Sequence, residues 1–204
     1  MKPRSRDRWL RFWKSVAVRG DSAPPYEDLV ERYSEPQRAY HTLNHIEHCL
    51  DEFDAARSLA QDAGAVEMAI WYHDAVYEPR KRDNEEKSAR LALEVATRMG
   101  MRALRRKKVA AMILASRHHR SPADPDSQLF TDIDLSILGQ SRSRFAEYEA
   151  QIRREYEWVP EPIFKAKRAS LLRSFLDRPT LYSTLFFRKR YEARARENLA
   201  KSLK

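Results

Sequence analysis

The sequence contains one cysteine and four glycines, and these low counts exclude several classes of protein. Cys49 on its own cannot form an internal disulfide or provide a zinc site built on several thiolates. The glycines stand far apart, whereas a Rossmann turn or a Walker phosphate loop needs two or three of them close together. Any metal site must therefore use histidine and carboxylate ligands, and any phosphate site must do without a glycine-rich loop.

Long apolar runs are also missing from the sequence. No stretch approaches the roughly 18 uninterrupted apolar residues of a membrane span, and residues 1–13 lack the small-residue cleavage site of a signal peptide. We therefore expect a cytoplasmic protein with no membrane partner. The 204 residues can bury roughly 70% of the unfolded surface, so a metal is not needed merely for folding.

Helical periodicity runs through nearly the whole chain, and the glycines and prolines fall between the periodic stretches. This pattern predicts an all-α, single-domain helical bundle. We expect one core helix from Thr42 to Ala60 and another from just after Gly64 to about Tyr77.

Further along the chain, residues 121–127 are predicted to form a loop and residues 188–203 the last helix. No repeat or long linker marks a domain boundary within residues 1–204. We expect a core at about 38–139, which carries the motifs described below, with C-terminal helices at about 143–203 packed on it.

The formal net charge is +9, which favours an anionic partner such as nucleic acid, a phosphorylated metabolite or an acidic protein. Basic runs such as Arg105 to Lys108 have an alternative interpretation, in which long side chains merely solvate a helix face. Charge alone does not choose among these partners.

The histidines are concentrated in three places, namely His41, His45 and His48; His73; and His118 with His119. Residues four apart share a helix face, so His41 and His45 can point together if their helix begins near Tyr40. At such positions the side chains can bind a metal or act as acids.

Acidic residues interrupt two apolar stretches of the sequence. His73 and Asp74 lie within an otherwise apolar segment, and Asp132 and Asp134 repeat this pattern. A buried carboxylate without a partner is very costly, and a metal or another cation offsets that cost. Each of the two acidic segments is therefore a candidate functional site.

Four ordered blocks of the sequence resemble the HD superfamily of metal-dependent phosphohydrolases, which is named for its His-Asp doublet. The resemblance is closer still to a subfamily of small bacterial predicted phosphohydrolases, and it spans about residues 38–199. It starts with Tyr40-His41-x-x-x-His45, and the blocks that carry it are Trp71-Tyr-His-Asp-Ala-Val-Tyr77, Asp83-Asn-Glu-x-x-Ser-Ala89, Asp132-Ile-Asp-Leu-Ser-Ile-Leu-Gly139 and Tyr191-Glu-x-x-Ala-Arg-x-Asn-Leu199.

The resemblance implies a set of metal ligands. One divalent ion, of Mn, Fe, Co, Ni, Zn or Mg, is expected to be bound by His45, His73, Asp74 and Asp134, and Asp74 can bridge to a second ion. His119 resembles a histidine that binds the second metal in some HD enzymes, and His118 is the alternative. Asp132 is expected either to support a ligand or to cap a helix.

The resemblance also implies that His41 acts as a general acid, as in the related cyclic-nucleotide phosphodiesterases, although a capping or substrate-binding role is the alternative. Glu85 is expected to orient water or a histidine that lies behind the ligands, or simply to stabilise the first turn of its helix. Four basic residues lie close in sequence to these positions and are candidate phosphate contacts: Arg38, Lys81, Arg117 and Arg120.

The expected activity is therefore metal-dependent hydrolysis of a small phosphate ester or a nucleotide. The alternative is a non-catalytic helical protein that binds nucleotide or RNA through the basic clusters Arg105 to Lys108 and Arg188 to Arg196. A third hypothesis is a structural or regulatory protein that keeps an inherited metal site without turnover.

Overall fold

A computed structural model describes residues 3–16, 20–117 and 123–203, and over these residues it confirms the predicted all-α bundle. The helices are α1 (Pro3–Ser15), α2 (Ala23–Arg32), α3 (Leu43–Ala56), α4 (Ala63–Tyr72), α5 (Asn84–Arg98), α6 (Ala103–Ser116), α7 (Pro125–Asp134), α8 (Arg142–Glu155), α9 (Glu161–Leu176) and α10 (Leu185–Ser202). Short 3-10 turns follow α3 at Arg57–Leu59 and α7 at Leu135–Gly139. None of the helices in the described ranges is long and apolar enough to cross a membrane.

Helix α4 lies at the centre of the bundle. It is apolar all round, every residue from Ala65 to Tyr72 is buried, and α1, α3, α5, α6 and α7 pack against it. A helix without a polar face must be enclosed by other elements. The position of α4 therefore places its C-terminal end, where His73 and Asp74 follow, among several neighbouring helices.

Four helix boundaries differ from the sequence-based prediction. Helix α4 ends at Tyr72 rather than near Tyr77, because Arg38 bonds the carbonyls of Asp74 and Ala75 and Ser88 bonds the amide that follows them, in place of further helical hydrogen bonds. Helix α3 begins only at Leu43, where the Thr42 side chain accepts a hydrogen bond from the Asn44 amide, so His41 precedes the helix.

The other two differences lie later in the chain. Helix α7 begins at Pro125, inside the predicted loop, because Asp124 caps it through the Ser127 amide. Helix α10 begins at Leu185, three residues before the predicted start, since Thr184 is its cap.

The C-terminal helices hold the turn after α7 in place. Helices α8 and α10 pack on Leu135–Gly139, and the Asn198 amide donates hydrogen bonds to the Leu138 and Gln140 carbonyls. The Tyr191 hydroxyl donates to the buried carboxylate of Glu52 on α3. The fourth sequence block thus fastens α10 to the segment that begins at Asp134.

The second sequence block fastens the segment that follows His73 and Asp74. Ser88 Oγ accepts a hydrogen bond from the Val76 amide and donates one to the Val76 carbonyl, at 3.0 and 3.3 Å. The Asn84 side chain makes the same two-way contact with the backbone of Glu78. Two residues of α5 therefore pin the chain at 76–78.

We expect Ser88→Ala to lower the free energy of unfolding by about 1 to 2 kcal/mol, because the buried amide and carbonyl of Val76 lose their partner. Urea denaturation followed by circular dichroism measures the change. Ser174→Ala is the matched control, since Ser174 is exposed and bonds only the Leu171 carbonyl of its own helix. Equal losses in the two variants would contradict a pinning role for Ser88.

Candidate metal centre

Four of the predicted ligands converge at one point of the bundle. His45 comes from the first turn of α3, His73 and Asp74 directly follow α4, and Asp134 is the last residue of α7. His45 Nε2 lies 3.1 Å from His73 Nε2 and 3.3 Å from Asp134 Oδ1, while His73 Nε2 lies 3.1 Å from Asp74 Oδ2. The two remaining imidazole–carboxylate pairs are both separated by 3.6 Å.

These spacings fit ligands of a common metal ion. Ligand atoms about 2.1 Å from one ion lie about 3.0 Å apart at a right angle and about 3.4 Å apart at the tetrahedral angle. Three of the five separations, at 3.1 to 3.3 Å, lie between these values, and the other two, at 3.6 Å, lie slightly above them. His45, His73 and Asp74 form one group able to hold a metal.

The tautomer of His73 also suits a ligand. Its Nδ1 lies 3.0 Å from the carbonyl oxygen of Ile70, which can only accept, so Nδ1 carries the proton. In the neutral ring, Nε2 then presents a lone pair to the cluster. A backbone carbonyl behind a histidine in this way fixes the ring and raises its basicity as a ligand.

The charges of the cluster attract a cation. Burial lowers the pKa of His73, but the carboxylates of Asp74 and Asp134 outweigh it and raise that pKa well above its ordinary value. Burial likewise works to raise the pKa of Asp74, yet His73 and His41 hold it well below its usual range. By contrast, burial lowers the pKa of His45 and keeps that imidazole neutral.

Cys49 lies beside the cluster, and together with His45 and Asp134 it forms a second group able to hold a metal. Its Sγ lies 3.7 and 3.8 Å from the two ring nitrogens of His45, so the sulfur is almost equally distant from both. Burial raises the pKa of Cys49 well above its ordinary value, and a neutral thiol results. The geometry favours packing over ligation for this residue.

His41 stands next to the cluster and is held by Glu155, the last residue of α8. His41 Nδ1 lies 2.6 Å from Glu155 Oε2, and the Tyr77 hydroxyl donates to the same oxygen at 2.8 Å. Glu155 Oε1 accepts the backbone amides of Ala39, Tyr40 and His41 at 2.8 to 2.9 Å. One buried carboxylate therefore fixes both the backbone and the ring of His41.

The pair of His41 and Glu155 has perturbed pKa values. Burial works to raise the pKa of Glu155, but the hydrogen bond from His41 outweighs it and lowers the pKa to about 2. Burial works to lower the pKa of His41, but the charges of Asp74 and Glu155 raise it overall. His41 is thereby favoured in its protonated form, and its ring, stacked on Tyr77, remains about one-fifth exposed.

Glu155 was missed by the sequence reasoning, although a signal for it exists. Phe145, Ile152 and Glu155 occupy the buried face of α8 at helical spacing, so a carboxylate interrupts an apolar stripe. The same kind of interruption identified Asp74. The highly charged composition of α8 hid it, because a glutamate in such a helix usually faces water.

Arg38 lies close to the cluster but is completely enclosed. Its guanidinium donates to Glu35, to the carbonyls of His41 and Asp74, and to the carbonyl of Ala75. With a side-chain exposure of 0%, it is better placed to hold the backbone than to contact a phosphate.

The other candidate contacts lie around the rim or outside the described residues. Lys81 is exposed in the segment between α4 and α5, and Arg117 is paired with Glu86 and donates to the Arg82 carbonyl. Glu85 is half-buried in the first turn of α5. The predicted sites His118, His119 and Arg120 lie outside the described residues.

Two further residues near the predicted ligands have supporting positions. His48 Nε2 lies 2.9 Å from Ser136 Oγ, and burial lowers the pKa of His48 to about 4. Asp132 is fully buried and accepts the Ser183 amide, the Thr184 amide and the Thr184 hydroxyl, each at 2.7 Å. Asp132 therefore does not cap a helix itself but holds the two residues that precede α10, including its cap Thr184.

We expect the two aspartates of α7 to separate stability from metal binding. Asp132→Ala should lower the free energy of unfolding by about 2 to 3 kcal/mol, since the start of α10 loses three hydrogen bonds. Asp134→Ala should weaken divalent-metal binding by at least about 10-fold. When EDTA removes the metal, Asp134→Ala should lower the free energy of unfolding by less than Asp132→Ala does. Calorimetric titration with Mn²⁺ measures metal binding, and urea denaturation measures stability. A larger loss of metal binding in Asp132→Ala, or a larger loss of stability in Asp134→Ala, would contradict this geometry.

Comparisons with known proteins add no further assignment to this site. No protein-family model, curated protein or solved structure matches the chain. The resemblance to HD phosphohydrolases therefore stays a prediction from the motif residues, and the geometry of the site is the evidence for its chemistry.

Proposed function

We propose that this protein is a metal-dependent phosphohydrolase of the HD superfamily that cleaves a small phosphate ester or a nucleotide. The observation that carries the proposal is the convergence of four ligand atoms from three separate helices, with a carboxylate-oriented histidine beside them. Buried ionisable groups that shift each other's pKa values in this way are typical of functional sites.

The donor set fits a divalent cation. Two imidazoles and two carboxylates, with the tautomer of His73 fixed by Ile70, match the ligands preferred by Mn, Fe, Co, Ni or Zn, and the carboxylates also suit Mg. His45, His73, Asp74 and Asp134 would hold the ion. A cation bound there supplies Lewis acidity towards a water molecule and a phosphoryl oxygen.

His41 is placed to move a proton in this reaction. Glu155 accepts the hydrogen bond from Nδ1 and stabilises the positive charge of the ring, so Nε2 is the atom that delivers a proton to the departing oxygen. Tyr77 stacks on the ring and donates to the same carboxylate, which keeps the ring in one orientation. Arg38 holds the His41 and Asp74 backbones together, so the acid and the ligands keep their spacing.

Several side chains of the basic clusters in the alternative function make contacts within the molecule. Arg105 pairs with Asp62 and Lys108 with Asp126. In the second cluster, Arg194 donates to the Gly139 carbonyl and Arg196 to carbonyls that follow α9. These contacts support the enzyme over the nucleic-acid-binding protein, because the side chains already fasten helices to one another.

We expect His73→Ala and Asp74→Ala each to lower phosphoester hydrolysis by more than about 100-fold, since even the partners that merely orient metal ligands are worth 10- to 100-fold. Turnover on a panel of nucleotides and small phosphate esters, measured with each divalent metal, tests this expectation. His48→Ala is the control, because His48 lies one turn from His45 but bonds Ser136. Full turnover in either ligand variant, with an unchanged helical circular dichroism spectrum, would contradict the proposal.

We expect Glu155→Gln to move the pH profile of kcat. The Glu155 charge helps to raise the pKa of His41, so its removal lowers that pKa. An acid that must be protonated loses activity as the pH rises through its pKa, and the alkaline limb should therefore shift to lower pH. At neutral pH kcat should fall by up to about 100-fold.

The matched control for this variant is Glu157→Gln, because Glu157 is exposed two residues further on. Its profile should overlay that of the wild type. A Glu155→Gln profile with an unmoved alkaline limb would show that Glu155 does not tune His41.

A further inference from the structure

One tryptophan of the four is open to solvent, and it lies near the candidate metal centre. Trp9, Trp13 and Trp71 are at most 5% exposed, whereas Trp158 is 47% exposed. Trp158 follows Glu155 by three residues in a tight turn, closed by the hydrogen bond from the Val159 amide to the Tyr156 carbonyl. Three residues span at most about 10 Å, so the backbones of Trp158 and Glu155 lie within that distance of each other.

Arg80, in the segment between α4 and α5, contacts Trp158. Its guanidinium carbon lies 5.1 Å from the centre of the Trp158 ring, a cation–π contact. Arg80 follows Tyr77 by three residues, and Tyr77 bonds Glu155. The two chain segments thus meet twice, first through Tyr77 and Glu155 beside the metal centre and then through Arg80 and Trp158 at the surface.

The position of Trp158 is fixed by its neighbours rather than by the core. Its ring centre lies 6.3 Å from that of Tyr156, whose ring in turn lies 6.3 Å from Phe164 on α9. The turn itself is tied by Arg153, which donates to the carbonyls of Tyr156 and Val159. A large apolar ring is therefore held rigidly at the surface, with nearly half of its area uncovered although Arg80 covers part of it.

A rigid, exposed indole beside a cationic side chain suits a planar aromatic group that carries a phosphate. Aromatic bases stack on tryptophan with little dependence on which base is present, and arginine adds both a cation–π contact and phosphate affinity. An aliphatic phosphate ester offers nothing for the indole to stack on. The metal centre would then hold the phosphate while the surface pair holds the aromatic end.

We propose that Trp158 and Arg80 form a specificity site that selects nucleotides over aliphatic phosphate esters. This inference rests on the proposed function and deepens it, because it names the substrate class of the same site. The base stacks on Trp158, and Arg80 contacts the sugar-phosphate. Neither residue belongs to the ligand set or to the pair of His41 and Glu155.

The test compares AMP with ribose 5-phosphate in the wild type and in Trp158→Leu, both loaded with Mn²⁺. For the wild type, kcat/KM should favour AMP by roughly 5- to 100-fold, which is the range of a single base stack. In Trp158→Leu this preference should disappear because the KM for AMP rises, while the KM for ribose 5-phosphate stays unchanged. Arg80→Gln should lower kcat/KM for both substrates, because both carry the sugar-phosphate that Arg80 contacts.

Leu104→Ala is the control for loss of an exposed apolar side chain, since Leu104 is 74% exposed on α6. It should keep the full preference for AMP. An equal preference in the wild type and in Trp158→Leu would overturn the specificity site. An equal fall of kcat/KM for both substrates in Trp158→Leu would overturn it as well.

The outcome can be separated from failure of the proposed function. If no phosphoester is hydrolysed by the wild type, the same two ligands are titrated against the Mn²⁺-loaded protein by calorimetry. Tighter binding of AMP that depends on Trp158 would then support the site without the enzyme. Absence of AMP binding at millimolar concentration, or binding equal to that of ribose 5-phosphate, would overturn the site as well.

Discussion

The arrangement of the candidate site depends on one buried guanidinium. Arg38 binds the carbonyls of His41, Asp74 and Ala75, and thereby joins the segment before α3 to the turn after α4. Those carbonyls would otherwise be buried without donors at the end of a helix, which is costly. Because the charge of Arg38 is itself enclosed, it is balanced by Glu35 and by the faces of Tyr33 and Tyr77. A residue that looked like a phosphate contact in the sequence is thus the link between the two halves of the site.

Side chains of the outer helices hold the segments that carry the candidate ligands. Glu155 gathers three backbone amides, a histidine and a tyrosine around one carboxylate, as in the anion-binding nests formed by successive amides. Ser88 and Asn84 fix the segment after Asp74, and Asn198 fixes the turn after Asp134. These helices thereby hold in place the segments that carry the cluster.

The sequence was sufficient for the helices and for the set of histidine and aspartate side chains that converge, because both leave regular patterns. Buried stripes recur at three and four residues, and a charged pair inside an apolar run identified His73 and Asp74. It was not sufficient for contacts between distant segments. Glu155 lies 114 residues from His41, and no local pattern connects them. The boundary at Tyr72 was likewise missed, since tertiary contacts of Arg38 and Ser88 end that helix rather than a glycine or a proline.

The contacts of Asp132 have a consequence for the order in which the structure can form during synthesis. The amides that Asp132 accepts belong to residues some 50 positions later in the chain. Helix α7 leaves the ribosome well before Thr184 does, and until then the Asp132 carboxylate lacks these donors. The segment that carries Asp132 and Asp134 therefore gains these hydrogen bonds only when the start of α10 has been made and has docked against it.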